Sequence, residues 1–159
     1  MEQITAAHKK NMLIWTTIMI GMFILVLVVY FLNTSAFFKP VPESRQYGQI
    51  LFILAVIFAS AILILKRSVL LPEKVVSRLP KTIDKTDQSS VLLARIGANY
   101  LIVWSIAEAI LITGFINYIL TTDFNNFLIF AIVAVYSLLI NLPRENTLHR
   151  AIALMEERE

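Results

Sequence analysis

Four stretches of this chain run for twenty residues or more with at most one charged side chain, and that pattern leaves few folds open. Residues 11–38, 46–65 and 124–143 hold no charge, and 96–122 are broken only by Glu108. An α-helix rises about 1.5 Å per residue, so about 20 residues cross a hydrocarbon core of about 30 Å. The runs are continuously apolar rather than alternating, and far longer than strands, which excludes a β-barrel. Composition agrees: 58% of the residues are hydrophobic and 16% charged, where a soluble domain is nearer half and a quarter. The expected fold is all-α, an integral membrane four-helix bundle built from antiparallel hairpins. Its spans fall at about 11–33, 48–66, 90–120 and 125–142 in a single domain covering 1–159. The first run is too long for the apolar core of a signal peptide and no A-x-A site follows, so it reads as a retained anchor.

Basic residues set the orientation. Lys9 and Lys10 precede the first span. Lys66, Arg67, Lys74, Arg78, Lys81, Lys85 and Arg95 lie around the connection between the second and third, and Arg144, Arg150 and Arg158 follow the fourth. Only Lys39 and Arg45 fall on the other side. The positive-inside rule then places both termini and the loop 67–89 in the cytoplasm, as in a bacterial-type inner (plasma) membrane. Aromatic residues at the span ends agree, with Trp15 at the inner boundary and Tyr30, Phe37, Phe38, Tyr118 and Phe124 at the outer.

The connections are short or basic. Pro40 and Pro42 mark the first outer loop, which reads as an interfacial anchor, and residues 121–126 read as a tight turn. Pro72 and Pro80 bar a long helix from the basic loop, and Asp87, Ser89 and Ser90 are candidate N-caps for the third span. The loop suits contact with anionic lipid, and it has no aromatic residue to stack on a nucleic-acid base. In the tail 143–159, Leu148, Ala151, Ile152 and Met155 recur at helical spacing. The tail's net-acidic polar face is poor for lipid, so a short amphipathic helix over 146–157 is expected to dock on the basic loop or on a partner subunit.

Glu108 is the one charged residue inside a span. An ionisable group at the bilayer centre costs about 2.5–3.5 kcal/mol on insertion scales. No Lys or Arg shares the interior to neutralise it, so a protonated, neutral acid is expected. Depth counted along the helices puts Ser60, Ser105, Tyr136 and Ser137 in the same inner half, with Thr16 and Thr17 nearer the surface. The outer half holds Thr113, Asn117 and Gln49. Glu108 with Ser60, Ser105, Tyr136 and Ser137 is thus a candidate proton or ion site. The weightier reading is a hydrogen-bonded cluster that holds the helices together.

The stretch 100–116, YLIVWSIAEAILITGFI, resembles the carboxylate helix of rotary ATP synthase proteolipids, the c-type subunits. Glu108 follows small and apolar residues, Gly114 stands a few positions later, and the helix runs outward from a basic loop. The resemblance implies Glu108 as an ion-binding carboxylate and covers about 20 residues. Proteolipid helices are glycine-rich, whereas this chain has four glycines and no G-x-G-x-G run. Its second span packs with Ala55, Ala59, Ser60 and Ala61, and the first hairpin carries no matching acid.

Catalytic and cofactor signatures are missing. His8 and His149 sit in opposite tails, and there is no cysteine. No phosphate-binding glycine loop, nucleophile elbow or zinc motif occurs. The polar inventory is one acid, some hydroxyls and a few amides, which is thin for an enzyme. The sequence thus points to a small polytopic membrane protein, a non-catalytic accessory or structural subunit with no cofactor. Its expected partners are the lipid bilayer and membrane-protein subunits or further copies of itself, with no nucleic acid. The alternative is a proton- or cation-coupled carrier or a rotor-type proteolipid using Glu108.

Overall fold

The computed structural model describes residues 2–35, 37–42, 44–79 and 85–157, with no side chain described at 44, 45, 85 and 86. Pro80, Lys81, Arg158 and Glu159 therefore lie outside the described residues. The described chain is helical throughout, without strands. Its elements are α1 (Glu2–Thr34), α2 (Ser44–Val69), α3 (Pro72–Ser77), α4 (Lys85–Thr121), α5 (Phe124–Ile140) and α6 (Glu145–Glu156). Helices α1, α2 and α4 are each long and apolar enough to cross a membrane. A fourth is added if α5 is counted together with α6, across a bend of 46°.

Helix boundaries follow local chemistry. Asp123 caps α5, its carboxylate accepting from the Asn126 N–H at 3.0 Å. The tight turn before it places Thr122 at φ 56°, in the left-handed region. Pro143 separates α5 from α6, since the residue before a proline is pushed out of helical conformation. Pro72 opens α3, where its missing N–H costs nothing.

Two boundaries differ from expectation. Helix α1 begins at Glu2 rather than near residue 11, because Ile4, Ala7 and Asn11 continue its buried stripe and rest on protein beyond the apolar run. Helix α4 begins at Lys85, so Asp87, Ser89 and Ser90 are not its N-cap; they lie inside the first turns. The Ser90 hydroxyl donates to the Asp87 carbonyl at 2.8 Å, and the Ser89 hydroxyl donates to Gln3 Oε1 of α1.

Helix α4 is the hub. It touches every other helix, and half of its apolar window is buried, against 11% for α1 and for α2. Helices α2 and α5 make its main contacts, and α5 comes close where Gly114 lies against Phe130. Helices α1 and α2 flank the α4–α5 pair on opposite sides and, among the described residues, do not touch each other. At one end, Tyr30 meets Phe124, Phe38 meets Tyr118, and Tyr118 meets Phe127. The Val41 N–H donates to the Leu120 carbonyl there, pinning the proline-containing loop to α4. The start of α1, helix α3 and helix α6 gather at the opposite end. There Leu148 and Ala151 are buried, Ile152 and Met155 half-buried, and Arg150 meets Glu73 of α3 at 2.6 Å. The tail helix is thus docked on the basic loop.

Candidate functional site

Two features could support function: the carboxyl of Glu108, and a polar belt with a basic cavity at the end where α3 and α6 sit.

Glu108 lies in the middle of the apolar stretch of α4, on its exposed side. Ala98, Leu101, Ser105 and Ile112 share that exposed face at helical spacing. The face lies between α1 and α2 and is left open because those two helices do not meet. Among the described residues no hydrogen bond or ion pair reaches Glu108. Of the other four predicted site residues only Ser105 shares its face, one turn away on α4; Ser60, Tyr136 and Ser137 do not converge on it. Ser60 is exposed on α2, and its hydroxyl donates to the Val56 carbonyl of its own helix at 2.8 Å. Tyr136 is 63% exposed on α5. Only Ser137 is buried, and its carbonyl accepts from the Asn141 side chain. The hydroxyls share a depth along the chain but not a side of the packed helices.

The buried polar side chains are instead mostly asparagines: Asn11, Asn99, Asn117 and Asn141, with Thr113 and Ser137. Sequence reasoning passed over three of them because an uncharged amide does not interrupt an apolar run. Asn99 and Asn141 belong to a belt that caps helix ends. The last carbonyls of a helix have no partner within it and need donors from elsewhere. Asn99 Nδ2 donates to the Val69 carbonyl at the end of α2 (2.9 Å). Trp15 Nε1 donates to Leu138, Lys66 Nζ to Ile140 and Trp104 Nε1 to Asn141, all carbonyls at the end of α5. The donors come from α1, α2 and α4, so the belt locks every long helix to the end of α5. Tyr100 stacks on Trp104 with centroids 5.3 Å apart, and its hydroxyl faces Thr147 and Arg144. Tyr100 thereby links the belt to the start of α6.

Beside the belt opens a cavity of about 380 Å³ between the end of α2, the start of α3 and the α5–α6 break. Lys66, Arg144 and Arg150 line it with Tyr100, Asn146 and Thr147, and among the described residues no acidic one does. At the other end of the molecule Asn117 is fully buried against Gly48, and among the described residues neither of its amide atoms has a hydrogen-bond partner.

No protein-family model matches the chain, and no curated protein or solved structure is significantly similar to it. Its functional reading rests on its own residues.

Proposed function

We propose that this chain is a non-catalytic accessory or structural subunit of a membrane complex. It crosses a bacterial-type inner membrane four times as a four-helix bundle, with both termini in the cytoplasm. Helix α5 supplies the fourth crossing alone. Its 17 residues span about 25 Å, near the thickness of a hydrocarbon core, and the bend at Pro143 turns α6 away. Most of α1 and α2 is apolar and uncovered, which suits lipid as the solvent.

One observation carries the assembly reading: the single mid-span acid faces outward, unpartnered, on an open α4 face. A carboxyl left in hydrocarbon costs several kcal/mol, and such groups face protein or water. Ala94, Ala98 and Ser105 keep this face shallow, as helix contacts in membranes require. A neighbouring membrane helix with a hydrogen-bonding group would cover Glu108. The same open carboxyl suits the alternative, a proton- or cation-coupled carrier or rotor-type proteolipid, because an uncovered acid can exchange a proton with what docks on it.

Native mass measurement of the complex in mild detergent separates the readings. A single copy beside foreign subunits supports the accessory reading, whereas a homodimer or large homo-ring supports the carrier or rotor. Glu108→Gln keeps shape and hydrogen bonding but cannot titrate. It should leave assembly and activity of the complex intact in the first case. In the second it should abolish transport while assembly survives.

A further inference from the structure

The cavity at the α5–α6 break lies apart from the Glu108 face and adjoins the helix-capping belt, with which it shares Lys66. We propose that it binds the phosphate headgroup of an anionic phospholipid, with Lys66 and Arg144 as the recognising cations. This inference rests on the bilayer reading above.

The first argument is charge. Three cations converge on a space of about 380 Å³ with no acid among the described lining residues. Arg150 is held by Glu73, which lies outside the lining, at 2.6 Å. Lys66 spends one donor on the Ile140 carbonyl at 3.3 Å and keeps two N–H groups. Arg144 keeps its fork, a geometry that matches phosphate oxygens two at a time. Like charges gathered at one site repel unless an anion joins them.

The second argument is shape and depth. Lys66 follows directly on the uncharged run of α2, and Arg144 follows directly on that of α5, so both sit where an apolar span gives way to polar chain. That is the level of the headgroups. Leu70, Leu71, Ile140 and Leu142 give the cavity an apolar wall. An apolar wall beside a cationic mouth fits a diacyl lipid better than free phosphate. Tyr100, Asn146 and Thr147 supply polar side chains for the ester and glycerol oxygens.

The test uses the full-length protein in mild detergent, with phosphatidylglycerol, phosphatidylcholine or inorganic phosphate added. Thermal unfolding and lipid retention in native mass spectra are read together. Phosphatidylglycerol should raise the unfolding temperature and stay bound, whereas phosphatidylcholine should do neither. The double variant Lys66→Gln/Arg144→Gln should weaken phosphatidylglycerol binding by about tenfold or more, since each surface cation contributes several-fold. Lys74→Gln, an exposed cation of α3 outside the cavity, should bind as the parent does. If the double Gln variant does not fold, Lys66→Arg/Arg144→Lys replaces it and should retain the lipid preference.

Equal binding of phosphatidylglycerol and phosphatidylcholine overturns the site. So does an equal loss in Lys74→Gln and the double variant, which would mean diffuse surface charge. Stabilisation by inorganic phosphate to the same extent overturns the lipid assignment. The bilayer reading fails separately, if the protein is released from membranes by carbonate wash without detergent.

Discussion

Replacing Gly114 with alanine tests the packing account where it is tightest. A methyl built on Gly114 would fall inside the contact distance of Phe130 Cβ and 2.8 Å from Phe130 Cγ. Carbon atoms at rest lie about 3.5–4.0 Å apart. The obstacle is Phe130 Cβ itself, the atom nearest the backbone, so no change of rotamer clears it. Helix α5 must back away by about 1 Å. A gap of that size forfeits a quarter to a half of each dispersion contact it opens. Phe127 and Ala134, both fully buried on α5, would feel it along with Phe130. Overpacking of this kind costs about 1–3 kcal/mol. Reversible unfolding in mixed micelles, followed by tryptophan fluorescence, measures it, and the buried Trp104 on α4 is the reporter. The control is Gly21→Ala, where nothing lies within 4 Å of the added methyl. It should be neutral, or gain up to about 1 kcal/mol from helix propensity. Equal stability of the two variants would refute the close α4–α5 contact.

Other substitutions probe separate parts of the account. Asn117→Leu, nearly the same shape, should stabilise by about 1–2 kcal/mol in the same assay, because it removes a buried amide with no partner. A loss of stability would mean that the amide is satisfied by bound water. Leu148→Ser/Ile152→Ser should undock α6, seen as faster tryptic cleavage after Arg144 and Arg150 with membrane insertion unchanged. Unaltered protection would count against docking through that face. Glu108→Leu should leave the protomer's own unfolding curve within about 0.5 kcal/mol of the parent, since Glu108 is exposed and, among the described residues, has no hydrogen bond or ion pair to lose. On the assembly reading it should weaken recovery of the intact complex.

What the sequence made legible follows from how much each pattern discriminates. Helix α6 could be placed to within a residue and given its docking face, because its apolar positions alternate with charges. Helix α1 offered no such contrast. It is apolar on every side through its middle, so the buried stripe through Asn11, Met22 and Val29 could not be told from its exposed flanks. Its first nine residues lie outside the apolar run, yet they continue the helix, and Ile4 finds cover against neighbouring helices there. The candidate polar layer illustrates a different limit. Depth along a helix is readable from residue count, but the direction a side chain points depends on which neighbours the helix acquires. Ser60, Ser105, Tyr136 and Ser137 match Glu108 in depth, and only Ser137 turns inward. The capping belt could not be foreseen from periodicity, because its acceptors are backbone carbonyls, which every residue carries.

Four crossings with both ends on one side is the claim on which the rest depends. The chain has no cysteine, so single cysteines can be introduced at Ser35, Asn125 and Ser77, at exposed positions in the α1–α2 connection, near the α4–α5 turn and at the end of α3. An impermeant thiol reagent added to intact cells should label Ser35→Cys and Asn125→Cys, and should label Ser77→Cys only after the membrane is opened. Labelling of Ser77→Cys in intact cells, or protection of Asn125→Cys, would contradict it.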